Sequence, residues 1–155
     1  MKKVLLFSAI LLCGIQLFGR SWFVSNSGHD ASSGTIFYPL KTIQKAVDQA
    51  APGDHVIVQE GVYKEHVVIR NKKSTADNPF VLMASGMVHL QSADAISRKE
   101  KTAMIQGKEE EISDPLHPFY PFHLGSVIRS EYSSHVIIDG FNIQDSPWMG
   151  ISALE

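Results

Sequence analysis

Ala51-Pro52-Gly53-Asp54-His55-Val56-Ile57-Val58-Gln59-Glu60-Gly61-Val62-Tyr63-Lys64-Glu65 contains the change of pattern that decides the fold. Upstream of it, Ile43, Ala46, Val47 and Ala50 recur at i, i+3, i+4 and i+7 behind Thr42, one apolar face of a short capped helix. Pro52-Gly53-Asp54 ends that pattern. Downstream, short runs rich in Val and Ile alternate with turn residues, the signature of strands. Residues 55–59 precede Glu60-Gly61, residues 66–70 precede a polar stretch reaching Pro79, and residues 80–84 precede Ser85-Gly86. Val88-His89-Leu90, Val127-Ile128, Val136-Ile137-Ile138, Phe141-Asn142-Ile143 and Ile151 continue the series.

The spacing of these runs carries the next step. Val56 to Val81 is 25 residues and Val67 to Val88 is 21, periods of the size that mark solenoid coils. No helix separates the runs, so a βαβ fold is excluded. Two-residue hairpin turns are missing, which disfavours a meander. A parallel β-helix fits, and a sandwich stays open on spacing alone. Residues 93–126 break the rhythm with Arg98-Lys99-Glu100-Lys101, Lys108-Glu109-Glu110-Glu111 and a Pro-rich run ending in Tyr120-Pro121-Phe122-His123. They read as a solvated insertion between coils, or as a loop that walls a carbohydrate groove with Tyr120, Phe122 and His123.

The N-terminus has the layout of a secretory signal peptide, assigned to residues 1–21. Lys2 and Lys3 precede an apolar run over residues 4–18, and small residues follow at Gly19 and Ser21. Cleavage after Ser21 puts small residues at both recognition positions; cleavage after Gly19 is the alternative. The run is short for a membrane span. A lipoprotein would use Cys13, but Leu12 stands where a small residue is needed. Cys13 then leaves with the signal, so the mature chain has no disulfide and needs a packed core.

Hydrophobic residues make up 44% of the 155 residues and charged residues 19%, which excludes a disordered composition. The 14 basic residues become 12 without Lys2 and Lys3, against 16 acidic ones, so the mature charge is near −4 if Arg20 stays. That balance speaks against nucleic-acid binding, and a polyanion would need a local basic cleft or a cation.

Several segments together resemble secreted right-handed parallel β-helix proteins of the pectate-lyase-like superfamily. Trp22-Phe23-Val24-Ser25, Gly28-His29-Asp30 and Gly34-Thr35 are similar to their opening, and Pro39-Leu40-Lys41-Thr42-Ile43-Gln44-Lys45-Ala46-Val47 to their capping helix. Residues 51–65 resemble the first coil, Thr75-Ala76-Asp77-Asn78-Pro79 the entry to the second, and residues 135–143 a later strand-turn unit. The resemblance implies an all-β right-handed parallel β-helix with an N-terminal strand, loop and capping helix in residues 22–54. The first coils then occupy residues 55–155, interrupted by the insertion at about 93–126. It implies a parent that acts on acidic polysaccharide, with calcium-assisted β-elimination on pectate-type uronates as the first reading. A non-catalytic carbohydrate-binding or surface β-helix and a glycoside hydrolase on the same fold are the alternatives. The family's base and calcium cluster are expected in later coils, and no catalytic, substrate-binding or metal residue of the family maps here. The chain is expected to stop in mid-coil at Glu155 and to fold poorly alone, with an exposed apolar end.

Individual residues have bland readings beside sharper ones. Asp139 before Gly140 reads as a turn residue, with a metal ligand or base as the alternative; Asp145 could add one oxygen to a calcium site. Asp30 with Asn26 and Ser27 reads as an Asx-type turn rather than an EF-hand loop. Arg129 reads as an outward strand residue that could grip a uronate carboxylate through a bidentate fork. His29, His55, His66, His89, His117, His123 and His135 show no zinc spacing, and His55, His66 and His135, each beginning a β-run, read as surface or strand-end residues. Trp22 and Trp148 read as apolar covers, with sugar stacking as the alternative. There is no nucleophile elbow, phosphate loop or dinucleotide fingerprint.

Overall fold

The computed structural model describes residues 19–93, 126–146 and 150–154. Residues 1–18 of the signal segment, most of the insertion and Trp148 lie outside them, with Cys13, Tyr120, Phe122, His117 and His123. The elements run β1 (Ser21–Val24), α1 (Ile43–Gln49), β2 (His55–Lys64), β3 (Val67–Arg70), β4 (Phe80–Gln91), β5 (Ile128–Glu131), β6 (Val136–Gln144) and β7 (Ile151–Leu154). They form two sheets, ordered β1-β2-β4-β6 and β3-β5-β7, and every pair of named strands within them is parallel. From β2 on, each pass of the chain therefore lays one strand on the first sheet and one on the second, and in the pass that begins with β1 the helix α1 stands in place of the second strand. The architecture is all-β and parallel, apart from the one short helix.

Strands of a parallel stack bury like residues on like positions, because side chains alternate with period two and the register repeats. Trp22, Val56, Leu82 and Ile138 form one inward row across the first sheet. Tyr63, Leu90 and Ile143 form a second, and Val67 with Ile128 begins a third on the other sheet. Val56, Leu82, Leu90, Val67 and Ile128 are all fully buried. Each such side chain contributes about 1.5–3 kcal/mol relative to an exposed one.

Three differences from the sequence reading have one cause. Glu60-Gly61, Ser85-Gly86 and Asp139-Gly140 were expected to break strands, yet β2, β4 and β6 run on through them for 10, 12 and 9 residues. Gly61, Gly86 and Gly140 adopt φ of 148°, 94° and 79°, so the strand bends at the glycine instead of stopping. The pairing register shifts at the same places. Val56 lies opposite Leu82 rather than Val81, and beyond the shift Val88 lies opposite Gly61 rather than Val67. Val67 pairs with Ile128 across the inserted segment, so the 21-residue spacing was a coincidence between two different sheets.

The first edge of each sheet is closed without another long strand. Along β1, Phe23 N–H donates to Gly34 O, Leu40 N–H donates to Phe23 O, and Ser25 N–H donates to Leu40 O. Along β3, the side chain of Gln44 on α1 takes the strand's place. Its Oε1 accepts from Val68 N–H at 2.6 Å and its Nε2 donates to Val68 O at 3.1 Å. Thr42 caps α1, its hydroxyl accepting from Lys45 N–H at 3.3 Å, and Ile43, Ala46 and Val47 face the core. At the other side of the stack, Val136, Ile138, Phe141 and Ile143 of β6 are only partly buried against the core.

Gln44→Ala removes both side-chain bonds to Val68 and exposes that edge. It is expected to lower stability by about 1–2 kcal/mol, read as a shift of the urea midpoint without a change of slope.

Candidate functional site

The second halves of β2, β4 and β6 present the candidate site. With Tyr63, Leu90 and Ile143 facing inward, the alternate positions face out, and the register stacks them in two rows. Lys64, Gln91 and Gln144 form one row; Val62, His89 and Asn142 form the other. Neighbouring strands lie about 4.8 Å apart, so the rows make a ladder of amides, an imidazole and one ammonium. Gln144 Nε2 donates to Asn142 Oδ1 at 3.3 Å within it. Such a surface offers many donors and acceptors and little charge. It suits hydroxyl-rich ligands, and Lys64 is the ladder's cation. The sequence reading missed this face, although the alternation in Val62-Tyr63-Lys64 and in His89-Leu90-Gln91 carried its signal.

A second polar cluster lies on the other sheet. Arg129 was expected to point outward and free, but its side chain is only 13% exposed and its Nε lies 2.6 Å from Glu131 Oε1. Glu131 Oε2 accepts from Arg70 Nε at 2.6 Å. One buried carboxylate thus orients two guanidinium groups, and Arg129 is an internal ion-pair partner rather than a free fork. Beside Arg70, Gln44, Val47, Asp48, Val68 and Lys72 line a cavity of about 150 Å³ between α1 and β3. Lys72 donates to Ala50 O at the end of α1. Burial holds its ammonium below the ordinary lysine range, against the pull of Asp48 and Asp54.

His66 joins the two ends of the inserted segment. Its Nδ1 lies 3.0 Å from Ser126 O and its Nε2 lies 3.2 Å from Ser92 Oγ. A carbonyl only accepts, so Nδ1 carries the proton and the Ser92 hydroxyl donates to Nε2 in the neutral ring. Ser92 and Ser126 are buried, so His66 sits at the strand start as expected but serves as an internal clasp rather than a surface residue. His135 is exposed just before β6, as expected of a strand start, with its Nδ1 3.0 Å from Ser74 O and a positive φ of 52°.

The carboxylates do not converge. Asp139 lies in β6 opposite Met83, exposed, and Asp145 follows the strand with φ 54°. Asp139 is thus a strand residue rather than a turn cap. Among the described residues no three His, Cys, Asp or Glu side chains come together as a metal site. Tyr63 is unsuited to proton transfer: burial pushes its phenol up to about 12, and its hydroxyl donates to Gln59 O.

The oxygen-rich loop is used in folding. Asp30 Oδ1 accepts from Lys41 and Thr42 N–H at 2.9 Å, and its Oδ2 accepts from the Thr42 hydroxyl at 3.0 Å. These are tertiary bonds to the helix entrance, not the local Asx-type turn expected. Glu65 completes the cap, its two oxygens accepting from Ile43 and Gln44 N–H at 3.0 and 2.9 Å. Trp22 is buried as a cover, and its Nε1 donates to Asp54 Oδ2 at 3.0 Å.

Comparison with known proteins gives several likenesses, and no family model matches the chain. Over 80 residues, 51% of the chain, it is 41% identical to pectate lyase PEL9 of Emericella nidulans. It spans 18% of that relative's length. A solved structure titled rhamnogalacturonan lyase superposes on 81% of the chain, and 28% of its own, with a TM-score of 0.52 at 15% identity. A complex of XylC with xylose covers 46% of the chain and 11% of its own, with a TM-score of 0.43 at 34% identity. The parallel architecture is thus shared with a solved polysaccharide lyase, and half of the sequence is similar to a pectate lyase.

Asp30 and Glu65 respond to acid in opposite directions. Burial raises Asp30, but the N–H groups of Thr42 and Lys41, the Thr42 hydroxyl and Lys45 outweigh it and hold the carboxyl below its ordinary value. Its contribution to stability is present above the ordinary carboxylate range and is lost as pH falls through its lowered value. Burial, with the nearby Asp30 charge, holds Glu65 above its ordinary value against the Gln44 and Ile43 N–H groups. Its contribution is full below the ordinary value and declines as pH rises through the raised one. In urea unfolding measured from pH 3 to 7, Asp30→Asn is expected to remove part of the acid-side loss. Glu65→Gln is expected to remove part of the decline toward neutral pH.

Proposed function

We propose that this chain forms the capped first coils of a right-handed parallel β-helix in an exported polysaccharide lyase acting on pectate-type uronates. The observation that supports it most is the in-register parallel stacking of three passes, closed at its first edge, in a chain half of which is similar to a pectate lyase. The polar ladder of Lys64, Gln91, Gln144, His89 and Asn142 suits a sugar chain lying across the coils, with Lys64 as partner for a carboxylate. In β-elimination a base removes the proton next to the uronate carboxylate, and the glycosidic oxygen on the adjacent carbon leaves. Among the described residues no three His, Cys, Asp or Glu side chains gather where they could hold a metal. The role of the described residues in this reading is to start the coil stack and to bind substrate. Among the described residues no helix is long and apolar enough to cross a membrane. Export is inferred from the leader.

The test is to express the reading frame with whatever sequence follows residue 155 and to incubate it with polygalacturonate. Ultraviolet absorbance from unsaturated chain ends is the expected result. New reducing ends without unsaturation would make the protein a hydrolase, and binding without cleavage would make it a binding module; either overturns the lyase reading. Lys64→Ala is expected to weaken binding of polygalacturonate several-fold, and less so at high salt, where the charge contribution is screened.

A further inference from the structure

The leader can be cut after Gly19 or after Ser21, and the small-residue pattern favours Ser21. The fold favours the other site. Arg20 is built into the first sheet from three sides. Its backbone N–H donates to Asp54 Oδ1 at 2.7 Å, and its carbonyl accepts from His55 N–H at 2.8 Å. Its guanidinium lies 3.8 Å over the Trp22 ring and donates from Nη2 to Ser33 O at 2.8 Å. Ser21 opens β1, opposite His55. Asp54 is only 8% exposed, and its carboxylate also accepts from Trp22 Nε1 and from Ala51 N–H at 2.8 Å. A chain beginning at Trp22 leaves Asp54 Oδ1 and His55 N–H, at the start of β2, without these partners, and a lost partner for a buried polar group is costly.

We infer that the mature protein begins at Arg20, and that its new α-ammonium group pairs with the Asp54 carboxylate. Processing acts on the unfolded chain, so the contacts do not guide the protease. They identify the residues that the mature fold uses. A cut after Gly19 converts an N–H···carboxylate bond into a charge-assisted one at the same place, which is the stronger kind. The carboxylate that fastens Trp22 then also fastens the chain's first atom.

The inference rests on the export reading, and one experiment separates the two. The full 155-residue chain is expressed with its own leader in a secreting bacterial host, and the exported protein is analysed by intact mass and N-terminal sequencing. A protein beginning Arg-Ser-Trp is the expected result. A protein beginning at Trp22 would overturn the inference and leave export standing. An uncleaved chain retained in the cell would overturn both. Titration of the mature protein gives a second reading: the Arg20 α-amino group should titrate above the ordinary value of about 8. An ordinary value would contradict the pairing with Asp54.

Discussion

Gln44 does for the second sheet what another strand would otherwise do. A parallel sheet needs a partner on each side of every strand, and an open edge invites pairing with other chains. One side-chain amide carries both a donor and an acceptor, so it can satisfy Val68 N–H and O together. That requires α1 to sit at a fixed height above β3, and the cap fixes it. Thr42, Glu65 and Asp30 hold the helix entrance, while Lys72 holds the carbonyl of Ala50 at the exit. Once that edge is closed, each later pass has a template to stack on.

The same logic runs along the first sheet. The stretch between Gly34 and Leu40 pairs with β1, and β1 pairs with β2. Asp54 joins the layers by taking one hydrogen bond each from Arg20, Trp22 and Ala51. On the second sheet the Arg129–Glu131–Arg70 cluster ties the edge strand β3 to β5, with Arg129 and Glu131 largely buried and Arg70 more than half exposed. Order at the start of the stack comes from hydrogen bonds that close edges, and order further along comes from repeated apolar rows.

Much of this was legible in the sequence, for identifiable reasons. The helix was legible because Ile43, Ala46 and Val47 keep a helical period behind Thr42. The strands were legible because Val and Ile cluster. The register was not, because a glycine in a strand looks the same whether it ends the strand or bends it, and only the backbone shows φ of 94° at Gly86. Arg129 was misread because its partner Glu131 lies two residues on in the same strand, a spacing that usually separates solvent-facing residues from nothing in particular. The polar ladder was invisible because it is made by stacking residues 27 and 53 positions apart, as in Val62, His89 and Asn142. Tyr120, Phe122, His123 and Trp148 lie outside the described residues, as do residues 1–18 of the leader.

The central claim is that successive passes stack in parallel, in register, across a long insertion. Nuclear Overhauser contacts between backbone protons test it directly. The account predicts cross-strand contacts between Val56 and Leu82 on the first sheet, and between Val67 and Ile128 on the second, with the pattern of parallel strands. Antiparallel contacts among these residues, or pairing of Val67 with Val88, would contradict it.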